Sequence, residues 1–141
     1  MTSTDGTSSM RELSEAECYQ LLGGTTTVGR VAFVADGGQQ LLPVNFVVVD
    51  RVVYLRTAPD SVMASLANGH DDVAFGVDFH DDLLGRGWSV TANGSSRGVD
   101  AVPDAPHGEA ARTPTPWAPG ERDVVIAVTP RSVSGRRVRR G

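Results

Sequence analysis

The β signal in this chain comes in short pieces joined by turns too tight for anything but neighbouring antiparallel strands. Residues 28–35 form one apolar, β-branched run, which stops at Asp36-Gly37-Gly38. Residues 41–49 follow, with Pro43 near the start and Asn45 interrupting an otherwise apolar stretch. Asp50-Arg51 then closes a second turn into residues 52–57. Parallel strands need a crossover of a dozen or more residues, so two such turns in succession demand an antiparallel meander. The pattern resumes at 73–79, crosses a polar loop at 80–87, and continues from 88–92 toward Val99 through a bulge at Gly94. Residues 123–128 and 132–138 are the last strands. The chain has 20 Val and one Ile, Ile126, the usage of a Val-built sheet. Its 141 residues make one domain. Six to seven antiparallel strands with two short helices predict a mainly β fold, a small closed or nearly closed barrel.

The helices have clear local signals. Ser14 followed by Glu17 is a capping box, and Leu13 with Cys18 makes a hydrophobic staple. Cys18, Leu21 and Leu22 give that helix an apolar face, and Gly23-Gly24 end it. Asp60 or Ser61 caps a second, short helix ended by Gly69, with Val62, Met63 and Leu66 as its apolar residues. Residues 1–12 are Ser/Thr/Gly-rich and read as a disordered leader, 13–138 as the folded domain, and 139–141 as a basic tail. Five of the eight prolines lie between Pro103 and Pro119, so 100–122 reads as irregular crossing chain with at most a helical turn at 109–112.

Several functions fall away on simple grounds. All 13 basic residues are Arg, and five of them lie in 131–141 with no acid. The rest of the chain is strongly acidic, so a nucleic-acid partner is not expected. No apolar run approaches the ~20 residues needed to span a bilayer, so no membrane partner is expected and the cytoplasm is the expected compartment. A single cysteine rules out a disulfide framework and a cysteine-built zinc site. The stretch Gly24-Thr25-Thr26-Thr27-Val28-Gly29-Arg30-Val31 spells a degraded phosphate loop. It lacks the Lys and the Ser/Thr, and it runs from helix to strand instead of the reverse. His70-Asp71-Asp72 and His80-Asp81-Asp82 flank one strand, roughly 30 Å apart at ~3.3 Å per residue, and cannot share an ion. His107 has no evident partner. No nucleophile motif is present, and Asn93-Gly94-Ser95 is a glycosylation sequon in spelling only.

One constellation remains. A strand ends in Tyr54-Leu55-Arg56-Thr57, and Ala58-Pro59-Asp60-Ser61 opens the short helix. Free N–H groups at a helix start, an Arg and two hydroxyls are the donors a terminal phosphate needs. The plain alternative is a helix cap beside an Arg paired with an acid.

With these residues the order of segments resembles the pyridoxamine 5′-phosphate oxidase-like flavoproteins, the FMN-binding split β-barrels. The landmarks are Val28-Gly29-Arg30-Val31-Ala32-Phe33, Leu42-Pro43-Val44-Asn45-Phe46, Val53-Tyr54-Leu55-Arg56-Thr57 and Ser61 with its helix. Val73-Ala74-Phe75-Gly76-Val77-Asp78, Gly87-Trp88-Ser89-Val90, Pro116-Trp117-Ala118-Pro119-Gly120 and Gly135-Arg136-Arg137-Val138 complete the order. The resemblance spans about 13–138.

It implies a homodimer of split barrels with FMN at the subunit interface and a small organic molecule as substrate. Pro43, Val44, Asn45 and Phe46 would lie along the flavin ring, and Arg56, Thr57 and Ser61 would face its phosphate. Trp88 and Ser89 would approach from the neighbouring strand, and Trp117 would close the site. No side chain is placed as a catalytic acid or base, and no metal is implied. One position departs: many relatives carry Lys or Arg after the Ser, and here it is Val62. Losing one charge-assisted contact weakens phosphate binding by roughly 1.5–3 kcal/mol, about ten- to a hundredfold. The departure leaves a deazaflavin, another ligand, or a cofactor-free, non-catalytic protein as alternatives. Relatives that reduce nitroimidazoles often carry His where Ser61 stands, and the basic pattern of a dedicated vitamin B6 oxidase is missing, so neither activity is expected.

Overall fold

The computed structural model describes residues 8–24, 28–104 and 124–140. Eight strands form one antiparallel sheet with a helix and a 3-10 helix. They are β1 (Ser9–Glu12), β2 (Gly29–Ala35), β3 (Gly38–Val44), β4 (Phe46–Val49), β5 (Val52–Thr57), β6 (His70–Asp81), β7 (Arg86–Val99) and β8 (Val124–Arg139). Helix α1 is Glu15–Gly24, and the 3-10 helix is Val62–Asn68. The sheet order is β3-β2-β6-β7-β8-β5-β4, with β1 added to β8.

This order explains the shape. β3 and β4 are the two outer edges of the sheet, yet only Asn45 separates them in the chain. The sheet must curl until its edges meet at that residue, which makes a split barrel. The single strand expected over 41–49 is therefore two strands, because Asn45 carries the chain from one edge to the other.

Both tight turns have left-handed backbone. Asp36 (φ 53°) and Gly37 (φ 78°) form one, and Asp50 (φ 50°) and Arg51 (φ 64°) the other. Two consecutive positive φ values match the twist of a two-residue hairpin. Arg51 is an unusual occupant. Its guanidinium reaches back to α1, 4.6 Å from the Tyr19 ring and 3.0 Å from Glu15.

The leader expected over 1–12 differs in part, since Ser9–Glu12 is a strand. The strand β8 outruns its neighbour β5, which pairs only with 124–128, and so leaves a backbone edge open at 136–139. β1 fills that edge, with Ser9 opposite Arg139 and Glu12 opposite Arg136. By the same pairing Arg139 belongs to β8 and not to a tail. The bulge read at Gly94 is present as a register shift between Asn93 and Gly94.

The capping box forms as read. Ser14 Oγ accepts the Glu17 N–H at 3.1 Å, and Glu17 accepts the Ser14 N–H at 2.9 Å. Glu17 also pairs with Arg11, and these bonds hold its carboxyl down at about 2. Cys18 and Leu22 face the core. Burial pushes the Cys18 thiol up, which keeps it neutral and unreactive. The main core lies inside the curled sheet around Val31, Val53, Leu55, Phe75, Ile126 and Val128. A second cluster, including Val47, Tyr54 and Val125, covers the outer face of β4, β5 and β8. No helix among the described residues is long and apolar enough to cross a membrane.

Candidate functional site

The junction between β5 and the 3-10 helix brings two of the expected residues into direct contact. Thr57 is buried at the end of β5, and its hydroxyl lies 2.6 Å from that of Ser61. Ser61 caps the 3-10 helix with extended backbone, and its Oγ accepts the Ala64 N–H at 3.2 Å. Its hydroxyl proton goes to the Ala58 carbonyl at 2.8 Å. That leaves Thr57 as the donor in the Thr57–Ser61 bond. Both hydroxyl protons are thus committed inside the chain. The far end of the same helix is fixed by Ser96, a buried residue that composition and spacing did not single out. It donates to the Leu66 carbonyl at 2.8 Å and accepts the His70 N–H at 3.2 Å.

Alternation along β5 separates the rest of the expected phosphate set. Leu55 and Thr57 point inward and Arg56 outward, on the side of Tyr54. Arg56 therefore does not converge with Thr57 and Ser61. Val62, the first residue of the 3-10 helix, is half-buried and brings no charge.

The segment expected along a flavin ring divides in the same way. Pro43 is exposed on the outer face opposite Arg30, while Val44 is buried. Asn45 is half-buried at the seam, and Phe46 turns inward to meet Phe75 edge-on at 4.9 Å. A planar group on the outside meets Pro43 and the backbone here, not the side chains of Val44 or Phe46. Beside this segment the outer face of β2, β3 and β6 carries a hollow of about 510 Å³, whose lining includes Ala32, Val34, Leu41, Ala74, Asn93 and Arg131.

Trp88 and Ser89 also part company. Trp88 packs toward the core and stacks on Phe79 with ring centroids 6.4 Å apart. Ser89 lies on the opposite face, paired with Asp78 on one side and Arg136 on the other. There a small hollow of about 190 Å³ is lined by Asp78, His80, Ser89, Arg136 and Val138, with Trp88 at its margin. Asp78 is its hub, 3.5 Å from His80 and 3.9 Å from Arg30. Asp78 and His80 alternate along one strand, a signal the sequence carries, whereas Arg30 joins them only through the β2–β6 pairing, where it lies opposite Gly76. Trp117 and His107 lie outside the described residues.

The two halves of the expected site are far apart within one protomer. Trp88 pairs with Arg137 of β8, and Arg56 pairs with Val125 of the same strand. These two points are twelve residues apart along β8, about 40 Å of strand contour.

Comparison with known proteins agrees with this architecture. The pyridoxamine 5′-phosphate oxidase family model matches residues 14–137. The uncharacterized protein Rv0080 of Mycobacterium tuberculosis is 30% identical over 131 residues, covering 90% of this chain and 84% of that protein. Among solved structures, the FAD binding protein from Mycobacterium smegmatis is 29% identical with a TM-score of 0.66, covering 92% of this chain and 98% of that one. A conserved protein of unknown function, DIP1874, from Corynebacterium diphtheriae is 30% identical with a TM-score of 0.63, covering 90% and 96%. The family match takes in the seam at Asn45, the Thr57–Ser61 junction and nearly all of β8, and on it the chain belongs to the pyridoxamine 5′-phosphate oxidase family.

Proposed function

We propose that the protein is a flavin-dependent oxidoreductase that binds FMN as a homodimer and acts on a small organic substrate in the cytoplasm. The observation that carries this reading is the Thr57–Ser61 hydroxyl pair at the start of the 3-10 helix. Its chemistry suits a phosphate. Either hydroxyl can rotate outward and exchange a neutral internal bond, worth about 0.5–1.5 kcal/mol, for a charge-assisted one worth about 1.5–3 kcal/mol. Of the first-turn N–H groups that of Ala64 is taken by Ser61, which leaves those of Val62 and Met63 as further donors.

The separation along β8 supports the dimer. Residues some 40 Å of strand apart do not close on one flavin unless the Ser89 end of one protomer meets the Ser61 end of another. When bound, the flavin supplies hydride or electron transfer, and the protein supplies binding and orientation. In this reading Thr57 and Ser61 hold the phosphate, and the backbone of 43–46 supports the ring. Ser89 and its Asp78–Arg136 surroundings orient the other side.

Two features favour a second reading, in which the natural ligand is not FMN. Position 62 has no charge, and a similar protein from M. smegmatis binds FAD. A deazaflavin, or a non-catalytic role on the same fold, belongs to this reading. One experiment separates them. The folded protein is saturated with FMN or FAD, desalted, and examined for retained flavin absorbance and quenched flavin fluorescence. Retention of FMN supports the proposal, and retention of FAD alone supports the second reading. If a folded protein retains neither flavin, the oxidoreductase assignment fails.

A further inference from the structure

The described residues expose seven large hydrophobic side chains, and five of them gather at one end of the sheet. Leu83 and Leu84 form the tip of the β6–β7 hairpin, and Leu83 is 93% exposed. Behind them Met10 of β1 and Val138 of β8 stand on one face of the sheet, and Phe79 of β6 on the other, beside Trp88. The tip is held firmly. The Leu84 N–H donates to Asp81 Oδ1 at 3.1 Å, and Gly85 makes the turn with a φ of +65°. Arg140 clamps the turn from the side, donating its N–H to the Gly85 carbonyl and its guanidinium to the Asp82 carbonyl at 2.8 Å.

A collar of cations surrounds these leucines. Arg86 and Arg139 are cross-strand neighbours, and Arg140 follows directly. Among the described residues Arg86, Arg137 and Arg139 form no ion pair and Arg140 bonds only to carbonyls, while Asp81 stands across the sheet from Arg86. The acids at this end are Asp81 and Asp82, outnumbered by the arginines. Beneath the tip a hollow of about 480 Å³ is lined by Met10 and Val138 on its apolar side and by three arginines, Arg86, Arg139 and Arg140, against Asp81 and Asp82 on its charged side. The remainder of the chain is acidic: residues 1–130 hold 17 acids against 8 Arg.

We propose that this end of the molecule docks on an anionic phospholipid surface. Leu83 and Leu84 insert below the headgroups, and Arg86, Arg139 and Arg140 meet lipid phosphates. The charge distribution fits one orientation, with the basic end toward the surface and the acidic body away from it. The shape also favours lipid over protein. A stable protein interface buries at least ~1,000 Å² across a matched patch. Here two leucines stand proud on a clamped turn, a form suited to insertion. The tip is only two residues long, and it acquires its collar only when β7 and β8 pair. This surface adjoins the hollow beside Ser89, with which it shares His80 and Val138.

The test is sedimentation of the full chain with vesicles of phosphatidylcholine alone or of equal parts phosphatidylcholine and phosphatidylglycerol. Binding is expected only to the second, weakening as salt rises. The Leu83→Ser, Leu84→Ser double variant is expected to lower partitioning roughly tenfold or more, the scale of losing buried leucines. Arg86→Gln with Arg139→Gln is expected to lower it by about fivefold for each charge removed. Circular dichroism and gel filtration of each variant confirm the wild-type fold and oligomeric state. Absence of binding at low salt overturns the proposal, as does equal binding to both vesicles. Wild-type binding by the leucine variant overturns it too. If that variant instead changes the oligomeric state while no protein sediments with lipid, the tip is a contact between copies and the proposal fails.

Discussion

Position 62 concentrates the question of what this protein binds. Val62 opens the 3-10 helix directly beside the Thr57–Ser61 pair, so a cationic side chain there stands next to any phosphate held by those hydroxyls. Val62→Arg is expected to tighten FMN binding about ten- to a hundredfold, the value of one charge-assisted contact. A fluorescence titration checks this, and an unchanged dissociation constant removes position 62 from the phosphate site. At this scale the sequence was readable wherever an interaction is local. Ser14 with Glu17 and the Ser61 cap are set by three-residue spacing, and both form. Spacing puts Arg56 beside Thr57 and Ser61 in the chain but does not report direction. A strand sends adjacent side chains to opposite faces, and only burial of Thr57 against exposure of Arg56 reveals which goes where.

Among the elements, β8 organises the rest. It pairs with β7 along most of its length, with β5 at one end and with β1 at the other. Helix α1 seats on it at Gly135, whose carbonyl accepts the Leu13 N–H at 2.9 Å. A Cβ at Gly135 would lie 2.7 Å from the Ser89 carbonyl, 3.0 Å from Cys18 Sγ and 3.1 Å from Leu13. Gly135→Ala therefore forces α1 and the neighbouring strand apart. A loss of roughly 1–3 kcal/mol is expected from such overpacking, read as a lower denaturant midpoint with an unchanged slope. An unaltered midpoint would show that α1 docks elsewhere. The strands and their turns were legible because Val-rich runs and two-residue turns are strong local signals. β1 was not, since Ser9–Glu12 carries no apolar alternation and is ordered by the open edge of a strand more than a hundred residues away.

For the whole molecule, the decisive quantity is the length of β8 between the Trp88 end and the Arg56 end. In a dimer, a protomer altered at Ser61 and one altered at Ser89 supply complementary halves. Homodimers of Ser61→Ala and of Ser89→Ala, each weakened in FMN binding, are expected to yield mixed dimers with one intact site of the two. Recovery of flavin binding on mixing, by titration of refolded or co-expressed chains, supports a shared site. No recovery places each site within one protomer. The barrel class was legible from strand count and turns. Its opening was not, because nothing in the local pattern at Asn45 says that the next strand joins the far edge of the sheet. That opening has a dynamic consequence. A closed barrel holds its seam with a ladder of hydrogen bonds, whereas here β3 and β4 are joined through one residue. Amide protons on the outer sides of those two strands have no ladder partner among the described residues, while those of β6, β7 and β8 lie between neighbours on both sides. Hydrogen exchange is therefore expected to be faster in β3 and β4 than in β6, β7 and β8, with Asn45 lying between the two faster strands.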